Sequence, residues 1–245
     1  MRPIDKGPVP ILSGRPKKVS DYKDWREDLM NRLGNCCCYC NMPLTDSPQV
    51  EHVSPKNPQP GQTAGSFLEW ENMVLACGPC NRFKSNQPTS ETLHYLAEFH
   101  NTHLVFEYVE VPHPSKPNRM ACIPQPRNIN AIDSAKAKAT IELCKLGAIR
   151  KIDPRCTDMR WYFRQKAFLA AKTYRQYWDK EPENAATFLE LMKISVLGSG
   201  FFSVWMQIFA DIPEVCQALI QAFPGTAQNC FDPNGNPIPR NGSEI

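Results

Sequence analysis

The spacing of apolar positions divides the chain into a mixed first half and a helical second half. Tyr22, Trp25, Leu29 and Leu33 recur at helical spacing and predict a helix from Asp21 to Leu33, N-capped by Ser20 and stopped by Gly34. The runs 49–53 and 73–76 read as short strands, and a helix begins at Cys80 and continues to Ser85. A helical stretch is predicted over 91–99, then a strand over 104–111 that ends at Pro112. Residues 112–130 are rich in turn formers and read as a loop or short hairpin. Helical periodicity follows over 131–146, 158–178, 185–196, 201–208 and 213–223, with Gly198 and Gly200 separating two segments. Residues 1–20, rich in proline and basic side chains, read as an extended arm, and 224–245 as an irregular tail.

Composition adds limits. Of the 245 residues, 42% are hydrophobic and 22% charged, which excludes a disordered or fibrous chain. A net charge of +3 argues for no partner by itself. No run approaches the ~20 apolar residues of a membrane span. The first residues lack the apolar core of a signal peptide, so the expectation is a soluble cytoplasmic protein with no membrane partner.

The eleven cysteines change the picture. An odd number without a signal peptide favours a metal site over disulfides. Cys37-Cys-Tyr-Cys40 and Cys77-Gly-Pro-Cys80 are two C-x-x-C pairs, 36 residues apart. Four thiolates in two such knuckles suit tetrahedral Zn²⁺, with Cys36 or Cys38 as possible replacements for Cys37. Cys122, Cys144, Cys156, Cys216 and Cys230 are scattered and expected as small buried hydrophobes.

Between and beside the knuckles stand Glu51-His52 on the first short strand, Asn72 before the second, and Cys80-Asn81-Arg-Phe-Lys84 on the helix. This order resembles the HNH nuclease family. The resemblance implies an α+β architecture: a ββα-metal module over 21–90, stapled by the four-cysteine zinc site. A strand and loop connection (91–130) and a mostly helical region (131–223) follow it. It implies His52 as the base that activates water, and Asn72 as the residue that orients the loop and helps hold the histidine. Glu51 and Asn81 would be oxygen ligands to Mg²⁺ or Mn²⁺. Asn81 stands where the family often has histidine, which shifts the preference towards Mg²⁺.

Substrate contacts are expected from Lys84, which could equally close its helix, and from Arg160 and Arg164. The last two lie in a stretch, 145–180, that carries ten Lys or Arg against three acids, with Trp161, Tyr162 and Tyr174 interleaved. Phe201, Phe202, Trp205 and Phe209 read as core.

The resemblance extends to the HNH subunit of Septu-type anti-phage defence systems, a type that also accompanies some retrons. It rests on Met1-Arg-Pro-Ile-Asp-Lys-Gly-Pro, Asp24-Trp-Arg-Glu-Asp-Leu29, Val50-Glu-His-Val-Ser-Pro-Lys56 and Phe202-Ser-Val-Trp-Met-Gln-Ile-Phe-Ala-Asp211. It implies an effector nuclease acting on DNA with an ABC/AAA-type ATPase partner. The chain itself has no G-x-x-x-x-G-K-[ST] loop. Cleavage of structured RNA such as tRNA, and a catalytically idle zinc-stapled binding module, are the alternatives. Residues 2–20, unable to build a core alone, are expected to help anchor the chain to the ATPase.

Overall fold

In the computed structural model, which describes residues 1–46, 48–149, 158–180 and 184–245, the chain opens by entering the core. Arg2, Ile4 and Lys6 are all buried. Arg2 donates to the carbonyls of Leu33, Phe223 and Pro224, and Lys6 pairs with Glu98 at 2.7 Å. The arm predicted over 1–20 therefore divides. Residues 1–4 and 6 are buried and stitch distant segments together, whereas the hairpin of β1 (Ile11–Leu12) and β2 (Arg15–Pro16) stands exposed.

A 3₁₀ turn over Tyr22–Trp25 leads into α1 (Arg26–Leu33), matching the predicted helix. Its cap is Asp21 rather than Ser20: Asp21 accepts from the Lys23 N–H, and Asp24 accepts in return from the Asp21 N–H. Gly34 ends the helix at φ +69°, a conformation that glycine adopts without strain.

β3 (Gln49–His52) and β4 (Met73–Ala76) pair antiparallel, with Glu51 opposite Val74 and His52 opposite Met73. α2 (Gly78–Lys84) follows at once, with Pro79 in its first turn where no N–H is needed. Strand, strand and helix thus arise where the sequence places them.

The stretch 91–99 forms turns, not the predicted helix. Its backbone groups are engaged elsewhere: the Tyr95 N–H donates to Thr140 Oγ1, and the Ala97 carbonyl accepts from the Ile4 N–H. A helical ladder would need those same groups.

One turn of helix, α3 (Thr102–Val105), precedes β5 (Phe106–His113), which pairs with β6 (Lys116–Pro126). Of the loop or short hairpin expected over 112–130, the hairpin is what forms, and most of the segment is its return strand. Prolines at 117, 124 and 126 disguised it. They are tolerated because a two-stranded sheet leaves each strand one edge whose N–H groups need no partner.

α4 (Ser134–Leu143), α5 (Arg160–Trp178), α6 (Ala185–Ser199), α7 (Phe202–Ile208) and α8 (Pro213–Ala222) form the helical region. Gly198 lies inside α6, while Gly200, at φ +69°, makes the break before α7. Phe201, Phe202, Trp205 and Phe209 are core, none more than 1% exposed. Cys122, Cys144, Cys216 and Cys230 are buried as expected, and Cys156 lies outside the described residues. Among the described residues no helix is long and apolar enough to cross a membrane.

Candidate active site

Two knuckles meet at the end of the β3–β4 pair. The thiols of Cys37, Cys40, Cys77 and Cys80 all lie within 4.8 Å of one another and are buried. Tetrahedral coordination with bonds of about 2.3 Å requires sulfur pairs about 3.8 Å apart. Cys40 and Cys77 are 3.7 Å apart, so the donor set fits a zinc-type ion. Cys36 and Cys38 stand outside the cluster: Cys36 donates to the Asn41 carbonyl, and burial pushes the Cys38 thiol up to about 12.

Arg160 reaches this cluster from the N-terminus of α5. Its Nη1 lies 3.0 Å from Cys80 Sγ and 2.9 Å from the Cys144 carbonyl, and Asp158 pairs with its Nε at 2.8 Å. Arg164, one turn on, donates to the carbonyls of Cys122 and Leu146. Arg160 is 2% and Arg164 1% exposed, so neither can meet a nucleic acid. The basic content of α5 is directed inward at these two positions. Of the remaining basic residues, Lys172 pairs with Glu110 and Arg175 with Asp179 and Asp211. Arg150, Lys151 and Arg155 lie outside the described residues.

Beside the knuckles, one cleft is lined by Tyr22, Glu51, His52, Lys56, Asn81 and Ser85. β3 carries Glu51 and His52, and α2 carries Asn81. Asn81 Nδ2 donates to Gln49 Oε1 at 2.8 Å, which leaves its Oδ1 as the atom able to ligate a cation. A carboxylate and a carboxamide oxygen in one cleft form a hard donor set that fits a divalent cation such as Mg²⁺.

Lys84, one turn beyond Asn81, is not a substrate contact. It is wholly buried, with Nζ 2.8 Å from Glu51 Oε1 and 2.7 Å from the His52 carbonyl. Burial pushes the Glu51 carboxyl up, and Lys84 opposes that shift by favouring the ionised form.

His52 has a defined tautomer. Its Nε2 lies 3.0 Å from the Phe67 carbonyl, which can only accept, so Nε2 carries the proton and Nδ1 the lone pair. Burial holds the imidazole pKa below its usual range, and the positive charges of Lys56 and Lys84 push the same way against the Phe67 carbonyl. The ring is neutral at pH 7 and able to accept a proton. Tyr22 and Phe67 pack against it at 4.6 and 5.8 Å between centroids.

Asn72 stands outside this cleft. Its Oδ1 accepts from the Ser54 N–H at 2.8 Å, and its Nδ2 donates to the carbonyls of Ser54 and Ser66 at 3.0 and 2.7 Å. It ties both ends of the loop whose Phe67 carbonyl fixes His52, and so it positions rather than reacts. Gly65 makes that clasp possible, since a Cβ there would lie 2.2 Å from the Ser54 carbonyl and 2.7 Å from Asn72 Nδ2. Tyr22, Lys56, Gly65 and Phe67 escaped the sequence reading because their roles depend on how a 20-residue loop folds back over β3.

An antiparallel strand pair, the following helix, an acid–histidine step and a four-cysteine staple are the marks of an HNH nuclease module. Residues 37–87 match the family model for the HNH endonuclease. No curated protein and no solved structure matches the chain.

Proposed function

We propose that the protein is a metal-dependent endonuclease that hydrolyses phosphodiester bonds of DNA. The observation that carries this reading is the oriented His52, its Nε2 held by the Phe67 carbonyl, lining the same cleft as Glu51 and Asn81. Nδ1 takes a proton from water as the water oxygen attacks phosphorus in line with the departing ester oxygen. The P–O bond to that oxygen breaks, and the leaving oxygen takes a proton from solvent. Glu51 and Asn81 would hold a divalent cation, Mg²⁺ or Mn²⁺, which would supply charge stabilisation for the reaction. Lys84 opposes the burial that pushes Glu51 up and so favours its ionised form, and Asn72 keeps the Phe67 carbonyl on Nε2. Cys37, Cys40, Cys77 and Cys80 would hold Zn²⁺ in a structural role, since four protein thiolates would complete a tetrahedral set.

The reading extends to a cytoplasmic effector of a prokaryotic anti-phage defence complex, restrained or released by an ABC/AAA-type ATPase. Its support is the likeness to Septu-type subunits outside the HNH segment, together with the lack of any phosphate-binding loop of the chain's own. The anchoring role expected for residues 2–20 falls to the part beyond Lys6, which includes the exposed hairpin, because Arg2, Ile4 and Lys6 are committed to the core.

The test incubates the purified chain, with and without the ATPase, with plasmid DNA and with total RNA, in Mg²⁺ and in chelator. Mg²⁺-dependent nicking of plasmid is the expected result. Cleavage confined to RNA would move the substrate, and inactivity in every combination would leave a binding module.

A further inference from the structure

A nuclease cleft must hold a polyanion, yet Lys84 and Arg160, both expected to contact substrate, are spent on internal partners. Among the described residues that line the cleft, Lys56 is the one lysine or arginine. It follows Pro55, four residues beyond His52, on the loop that Asn72 clasps. Its ammonium sits between two aromatic rings, 4.3 Å from the Tyr22 centroid and 4.6 Å from that of Phe67. The two rings meet edge to face at 5.8 Å.

Held this way, a lysine meets ring faces rather than a carboxylate. A carboxylate partner would cancel the field, whereas ring faces attract the ammonium through their quadrupoles and leave the net charge intact. No carboxylate among the described residues pairs with Lys56. The same two rings also flank His52, so the cage fixes the ammonium beside the proposed base. Tyr22 comes from the turn before α1, outside the segment that matches the HNH family model, so one wall of the cage is an addition to the module.

We propose that Lys56, caged by Tyr22 and Phe67, is the residue that grips a substrate phosphate beside His52. This deepens the nuclease reading and rests on it for the identity of the polyanion. The cage restricts a flexible four-carbon side chain before substrate arrives, so less ordering remains for binding. Tyr22 and Phe67 act through Lys56 and are positioning residues.

The experiment measures binding of a fluorescein-labelled DNA duplex, and of an RNA duplex of the same length, by anisotropy across a salt series. Chelator is present throughout, so that neither probe is cut. Wild type, Lys56→Gln and Lys56→Arg are compared, with zinc content as the check on folding. Removing one phosphate contact lowers the slope of log affinity against log salt by about one. The expected result is that loss for Lys56→Gln on at least one probe, with the slope retained in Lys56→Arg. An unchanged slope for Lys56→Gln on both probes overturns the proposal. In Mg²⁺, Lys56→Gln should raise KM more than it lowers kcat. A wild type that binds either probe but cuts neither would refute the nuclease reading while leaving the salt slope to decide for or against Lys56.

Discussion

Lys84 donates to Glu51 from 2.8 Å while it is itself wholly buried, so the carboxylate proposed to hold the cation already has a cationic partner inside the protein. Breaking such a pair by removing one partner leaves an uncompensated buried charge, at a cost on the order of 3 kcal/mol. Lys84→Met should lower the urea midpoint accordingly, and Lys84→Met with Glu51→Leu should recover much of the loss. Equal destabilisation of the single and double variants would show that the pair is not the reason.

Asn72 and Gly65 serve one contact. Asn72→Ala removes three hydrogen bonds across the loop, and Gly65→Ala drives a methyl group into the Ser54 carbonyl. Both should reduce DNA cleavage at least tenfold with zinc content unchanged, because each frees the Phe67 carbonyl from Nε2 of His52. Wild-type cleavage by either variant would detach the loop from the site.

Arg160 should govern metal retention rather than substrate binding. Outer partners of metal ligands typically change affinity by about 10–100-fold. Arg160→Met should speed the transfer of zinc to a chromogenic chelator while leaving the salt dependence of DNA binding intact. A normal zinc-release rate with weakened DNA binding would return Arg160 to the substrate surface.

Acid should weaken the fold through His100. Burial and the neighbouring Lys136 hold its pKa down at about 4, against 6.5 in the unfolded chain. Between those values the unfolded chain binds a proton that the folded chain refuses, so stability falls as pH drops from 6.5 to 4 and is unaffected above. His100→Gln should show a shallower loss of urea midpoint between pH 7 and pH 5 than wild type. Identical slopes would assign the acid sensitivity to other groups.

Much of the module was legible because its chemistry is local. Two C-x-x-C pairs name their own ligands, and Glu51, His52 and Asn81 sit on elements only four to seven residues long. What stayed hidden depends on long-range geometry. Arg160 and Arg164 look like a basic surface until α5 packs them against Cys80 and the Cys122 carbonyl. Lys84 looks like a phosphate contact until the helix folds it under β3. Arg2 to Lys6 resemble a loose arm because nothing local marks partners more than thirty residues away. The prolines of β6 read as turns unless the strand is known to have a free edge.

The central claim is that His52, with its lone pair fixed on Nδ1, activates the attacking water. The direct measurement is the Mg²⁺-dependent cleavage rate of plasmid DNA by His52→Ala beside wild type, at matched zinc content and matched thermal midpoint. Loss of a general base costs about 10²–10⁴-fold, and a fall of that size is the result expected. Cleavage by His52→Ala within twofold of wild type would remove His52 from the mechanism and contradict the account.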